Sequence, residues 1–238
     1  MEALDIAKKY RDEIIKRFDD ITMILYGSTV FGVKTSDLDV CFVREEQLSQ
    51  EQFQQLKYIT RDFHLKNNLR IDEEVPYENK LVYTKNFIED TLINLPFPYI
   101  NEKLIIQPII KSKEYLASKE MSKRLLLNIL TVKNEVLCGD KELIKNYGYR
   151  AWEEIIRVVI SYSEQTNFSV EELLKYLYVN PFTGAEGELY LGYKKNLKEK
   201  EIYLQEKVEE MLMKLEKENK MVKTLKKKYI PNEGWLRQ

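Results

Sequence analysis

Two aspartates stand one residue apart inside the apolar run SDLDVCFV, residues 36–43. The alternation of this run predicts a β-strand, and on a strand the side chains of Asp37 and Asp39 point to the same face. Two carboxylates at short range repel each other by about 1 kcal/mol in water and by several times more at a lower effective dielectric. A fold keeps such a pair most readily around a cation, and oxygen ligands favour Mg²⁺.

A glycine and a serine just before this run provide a complementary feature. Gly27 and Ser28 directly follow ITMILY, residues 21–26, a short apolar run that predicts a buried strand. We expect them to open a short helical turn, where glycine allows a phosphate to approach the backbone and the amides favour an anion. The Ser28 hydroxyl adds a donor. A phosphate-binding turn beside a metal-binding strand is typical of a site for a nucleoside triphosphate with Mg²⁺.

A site with two metal ions usually needs a third acidic ligand, and LRIDEEV, residues 69–75, supplies one. Its alternation predicts a strand that Pro76 ends. Asp72 and Glu74 fall on one face of this strand, and Glu73 falls on the apolar face. We predict Asp72 as the third ligand because it lies mid-strand, with Glu74 as the alternative.

The elements around these residues predict an α+β fold, a small mixed β-sheet backed by helices and followed by an α-helical domain. Ser49 is the predicted N-cap of the helix at 49–66, with Gln52 completing a capping box. His64 lies near the polar end of this helix, and we expect it to be exposed. The predicted helices are 2–18, 49–66, 114–133, 150–165, 169–178 and 196–229, and the predicted strands are 21–26, 36–43 and 69–75. Strand signals fade beyond residue 80, so we divide the chain into domains at 1–105 and 106–238, the second with a long terminal helix.

Composition excludes several classes of protein. The 238 residues carry 38 basic and 39 acidic side chains, a balance that does not indicate a nucleic-acid coat protein. One histidine and two distant cysteines argue against a zinc site and against a disulfide framework. No apolar run reaches the roughly 18 to 20 residues that span a bilayer, and the charged N-terminus lacks the apolar centre of a signal peptide. We predict a soluble cytoplasmic protein without a membrane partner.

The order of these motifs resembles the DNA polymerase β-like nucleotidyltransferase superfamily. The similarity rests on Gly27 and Ser28, then Asp37 and Asp39, then RID at 70–72, and it covers roughly residues 20–76. In size and layout the chain looks closest to the bacterial enzymes that adenylylate antibiotics of the aminoglycoside type. The resemblance implies the family fold, with a catalytic domain at 1–105, and transfer of an NMP, with ATP as the expected donor, to a small-molecule hydroxyl.

The resemblance also implies a role for each site residue. Asp37 and Asp39 would hold two Mg²⁺ ions, and Asp72 would ligate the ion that activates the acceptor hydroxyl. Gly27 and Ser28 would hold the β- and γ-phosphates, and Lys34 would neutralise phosphate charge. Asp72 or a carboxylate of the helical domain would take the proton.

Three alternatives stay open at the level of sequence. The acceptor is an RNA end or a protein hydroxyl, as in toxin-like relatives, or the chain is a non-catalytic nucleotide-binding module. Only the basic excess of residues 194–229 favours RNA. The apolar positions of the terminal helix, Leu204, Val208, Met211, Leu215, Val222, Leu225 and Tyr229, predict packing on the helical domain or on a second copy in a homodimer.

Overall fold

A four-stranded mixed sheet with helices on both faces forms the part of the chain that the structure describes. The structure is a computed structural model, and it describes residues 3–31, 37–71, 82–95, 119–131 and 133–165, together with Glu210 and Met213. The fold is therefore α+β, as the sequence predicts.

The strands lie in the order β3-β2-β1-β4. Their bounds are β1 Thr22–Leu25, β2 Val40–Arg44, β3 Val82–Thr84 and β4 Glu135–Cys138. β1 pairs antiparallel with both β2 and β4, whereas β2 and β3 pair in parallel. Parallel neighbours need a crossover connection, and helix α2, Gln50–Lys66, lies within the connection from β2 to β3.

Alternation along the central strands divides the core into two clusters. Met23 and Leu25 of β1 and Phe42 of β2 pack beneath α1, Ala3–Ile15, and α2. Ile24 and Cys41 point to the opposite face. That face is covered by α3, Lys85–Ile93, α4, Lys119–Thr131, and α5, Lys141–Gln165. Both faces of β1 and β2 are buried, which explains why their sequences are apolar runs.

The predicted N-terminus of α2 is confirmed. Ser49 Oγ accepts a hydrogen bond from the Gln52 amide at 3.2 Å, and the Ser49 amide donates to Gln52 Oε1 at 2.9 Å.

α5 begins nine residues before the predicted start at 150, because Asp140 Oδ1 accepts from the Leu143 amide and caps the helix at 2.9 Å. Gly139, directly before this cap, has φ +88, a conformation that glycine adopts without steric cost.

Two strands and a helix were not predicted. β3 and β4 are three and four residues long, too short for alternation to identify them. α3 is nine residues long and lies between the helices predicted at 49–66 and 114–133. In the predicted strand at 69–75, residues 69–71 belong to no strand, and 72–75 lie outside the described residues. β4 comes from the range 106–238 and joins the sheet. The division at residue 105 stays a prediction.

Candidate functional site

A 3₁₀ helix begins directly after β1, at the position where the sequence predicts a helical turn. This helix, η1, spans Gly27–Phe31, and Ser28 lies in its first turn. Gly27 has φ +72, in the left-handed region that glycine adopts without steric cost. The Tyr26 amide donates to the Asp39 carbonyl at 3.0 Å, so the pairing of β1 with β2 continues one step beyond Leu25 and Val40. This bond holds Asp39 beside the start of η1.

The Asp39 carboxyl group lies against the backbone of Gly27. A Cβ atom built on Gly27 would be 2.8 Å from Asp39 Cγ and 3.1 Å from Asp39 Cβ. Real Cβ atoms essentially never come within 3.0 Å of another heavy atom, so a side chain at position 27 would displace the carboxylate. The sequence interpretation gave Gly27 a role toward phosphate. The structure adds a second reason for glycine at this position, because the Asp39 carboxyl group occupies the space of a side chain.

Asp37 and Asp39 both precede the strand that was predicted to carry them. β2 begins at Val40, four residues later than predicted. Leu38 and Val40 are buried in the cluster beneath α1 and α2, whereas the two aspartates are partly exposed. Strand alternation therefore does not apply to Asp37 and Asp39 directly, and their sharing of one face stays a prediction.

His64 is buried near Asp37. Its Nδ1 donates to the Thr60 carbonyl at 2.7 Å, and its ring meets the Tyr10 ring edge-on at 6.0 Å between centroids. Burial lowers the pKa of His64, while the Thr60 hydrogen bond and the negative charge of Asp37 oppose that shift. Burial is the largest of these effects, so the pKa of His64 lies below its ordinary value.

The sequence interpretation placed His64 at the surface, and this was wrong, since only 8 % of the residue is exposed. A signal was present in the helix period. His64 follows Phe53 by eleven residues, about three turns, so both residues lie on the same face of α2. That face packs on α1, where Tyr10 covers it.

The remaining predicted site residues lie outside the described part of the chain. They are Lys34, Asp72 and the alternative ligand Glu74. The structure therefore brings together Gly27 and Asp39, with Asp37 in the same segment. The positions of Lys34 and Asp72 relative to them stay predictions.

The donor chemistry of Asp37 and Asp39 fits Mg²⁺. Both side chains offer carboxylate oxygens, both are partly exposed, and Mg²⁺ favours one or two carboxylates with water and phosphate oxygens completing its shell. Among the described residues, no group of three or more His, Cys, Asp and Glu side chains is arranged to hold a metal ion. Asp72 and Glu74 lie outside the described residues, so the third ligand stays a prediction.

Comparison with known proteins gives no match. No family model matches the chain, and no significantly similar protein was found among curated proteins or solved structures. Within the described residues, no helix is long and apolar enough to cross a membrane.

Proposed function

We propose that this chain is a Mg²⁺-dependent nucleotidyltransferase that transfers an NMP, AMP from ATP, to a hydroxyl group of a small molecule in the cytoplasm. The observation that carries the proposal is the contact of the Asp39 carboxyl with Gly27 at the start of η1. A carboxylate beside a phosphate-binding turn brings two negative groups together. A bound Mg²⁺ ion between them would offset that repulsion.

The antiparallel pairing of β1 with β2 supports the proposal. It places the C-terminal end of β1, where η1 begins, beside the N-terminal end of β2, which Asp37 and Asp39 precede. The Tyr26–Asp39 hydrogen bond fixes this alignment to within one residue. A slip of one residue would reverse the side-chain directions and remove the Asp39 carboxyl from Gly27.

Each residue has a separate role in the proposed reaction. Gly27 and Ser28 bind the β- and γ-phosphates, and Lys34 neutralises phosphate charge. Asp37, Asp39 and Asp72 provide oxygens for two Mg²⁺ ions, which supply electrostatic stabilisation of the transferring phosphoryl group when bound. Asp72, or a carboxylate of residues 106–238, accepts the proton of the acceptor hydroxyl. The acceptor oxygen forms a bond to the α-phosphorus, the bond between the α-phosphorus and the oxygen that bridges it to the β-phosphate breaks, and pyrophosphate leaves.

The same proposal assigns a role to each of the two predicted domains. Residues 1–105 would provide the nucleotide site of the nucleotidyltransferase domain. Residues 106–238 would provide an α-helical domain with the acceptor side, and they also contribute strand β4 to the sheet of the first domain. The helical state of Glu210 and Met213 agrees with a long terminal helix.

A thermal-shift panel tests the proposal. Wild-type protein is heated with ATP, CTP, GTP or UTP, each with and without Mg²⁺. A nucleotide at about 100 times its dissociation constant stabilises a protein by about 2.7 kcal/mol. We expect an Mg²⁺-dependent rise in Tm with ATP that Asp39→Asn removes. Glu142→Gln is the matched control, because the Glu142 side chain is 74 % exposed on α5 and its loss should leave the shift intact.

The result decides among the open alternatives. The absence of a shift with every nucleotide would overturn the proposed site. A shift without turnover on small-molecule, RNA and protein acceptors would indicate a non-catalytic module. Turnover on RNA or protein alone would keep the site and change the acceptor class.

A further inference from the structure

Leu25, the last residue of β1, is paired on both sides. Its partner in β2 is Val40, and its partner in β4 is Glu135. Because β1 runs antiparallel to both neighbours, the residues that precede Val40 and those that precede Glu135 lie at the end of the sheet where η1 begins. The proposed nucleotide site therefore has a second flank, formed by the residues just before β4.

The connection from α4 to β4 is anchored at this end of the sheet. Asn134 Nδ2 donates to the Ile129 carbonyl in the last turn of α4 at 2.7 Å. Lys133 directly precedes Asn134, and it lies two residues before the pair that ends the ladder of β4 with β1. Gly27 lies two residues beyond the same pair on β1. Adjacent strands are about 4.8 Å apart, so Lys133 and Gly27 leave the sheet close together.

The two flanks of η1 differ in charge. On the β2 side, the Asp39 carboxyl group lies against Gly27. On the β4 side, Lys133 is an exposed residue. Lysine is a common phosphate ligand because its ammonium group acts as a point charge at the end of a flexible four-carbon stem. A triphosphate carries several negative charges, so a lysine on the flank opposite Asp39 adds a favourable interaction that is separate from the proposed Mg²⁺ ions.

We propose that Lys133 binds the triphosphate of the donor nucleotide from the β4 side of η1, opposite the side on which Asp39 is proposed to hold Mg²⁺. This inference rests on the proposed nucleotidyltransferase function and adds a phosphate ligand from outside residues 1–105. Binding of the donor nucleotide then depends on the segment between α4 and β4, and Asn134 acts as a positioning residue for that segment.

Calorimetric titration of the full-length protein with ATP and Mg²⁺ tests the role of Lys133. Lys133→Gln removes the charge, and Lys133→Arg keeps it. Lys141→Gln is the matched control, because Lys141 is also exposed and lies beyond the opposite end of β4. A hydrogen bond to a charged group contributes about tenfold or more in affinity. We expect Lys133→Gln to weaken ATP binding about tenfold, and we expect Lys133→Arg and Lys141→Gln to bind ATP nearly as the wild type does.

The outcomes separate this inference from the proposed function. If the wild type binds ATP and Lys133→Gln binds it equally well, the role of Lys133 is wrong and the nucleotide site remains. An equal loss in Lys141→Gln would overturn that role too, since it would reduce the effect to net charge. If the wild type binds no nucleotide, the proposed function and this inference are both wrong. The Tm without nucleotide is measured for each variant, and we expect no change because both lysines are exposed.

Discussion

In the Gly27–Asp39 pair, the Asp39 carboxyl group occupies the space that a side chain at position 27 would need. The two residues are brought together by the pairing of β1 with β2, which the Tyr26–Asp39 hydrogen bond extends toward η1. The pair joins the proposed phosphate-binding turn to a proposed metal ligand, so a change at either residue should affect nucleotide binding.

Gly27→Ala should lower both stability and nucleotide binding. The positive φ alone costs about 1–2 kcal/mol with a Cβ present, and the displaced Asp39 adds to that loss. Gly139→Ala is the matched control, because Gly139 has φ +88 and its Cβ would lie 2.6 Å from Thr22 Cα, at the other end of β1. Urea unfolding should show a loss in both variants. ATP titration should show weakened binding in Gly27→Ala alone, and equal ATP affinities would contradict the role of the pair.

The third carboxylate is tested by replacing three acids one at a time. We expect Asp72→Asn to abolish transfer, while Glu74→Gln and Glu78→Gln retain it. Glu78 is included as a third acid of the same segment that lies beyond Pro76, outside the predicted strand. Initial rates of pyrophosphate release measure the effect. Loss of activity in Glu78→Gln alone would transfer the role from Asp72 to Glu78.

Stability should fall as the pH decreases from about 6.5, because of His64. Burial holds the pKa of folded His64 below its ordinary value of 6.5, so the unfolded chain binds more protons and the free energy of unfolding decreases on acidification toward the folded pKa. Because the chain has one histidine, His64→Gln should remove this dependence. Urea unfolding between pH 5.5 and 7.5 measures it.

The same imidazole reports on the charge of Asp37. Since the Asp37 carboxylate raises the pKa of His64, Asp37→Asn should lower that pKa further, and Glu142→Gln should not. An NMR titration of the single imidazole follows both variants. A wild-type pKa at or above 6.5 would contradict the burial of His64.

A fragment of residues 1–105 should not unfold cooperatively. It would lack β4, which pairs with β1, and the helices that cover Ile24 and Cys41. Residues 1–165 are the matched fragment and should melt cooperatively, with a lower Tm than the full chain. Calorimetry compares the two. A cooperative transition in 1–105 would instead establish the domain division that the sequence predicts.

The local features of the fold were predictable and the tertiary ones were not. The capping box at Ser49 and the turn at Gly27 follow from residues adjacent in sequence, and both are present. β3 is too short for its three residues to show a period, and it exists because it pairs with β2. His64 lay on the buried face by helix geometry, but its polar character outweighed that signal.

In the candidate site, too, the residue types were predictable and the contacts between residues were not. The sequence indicated Gly27 and Asp39 separately, from residue type and position. It could not show that one makes room for the other, because their contact depends on the register of two strands. Likewise, the effect of Asp37 on the pKa of His64 depends on how α2 packs, which the sequence does not show.

The order of pairing around β1 has a consequence during synthesis on the ribosome. One edge of β1 can pair once Arg44 has emerged, but the strand for its other edge ends at Cys138. Roughly 90 further residues must be translated in between, which takes about 5–20 s at ordinary elongation rates. During that interval an apolar strand presents unpaired backbone groups, a known template for association between chains. The nascent chain is therefore expected to need chaperone protection until β4 is complete.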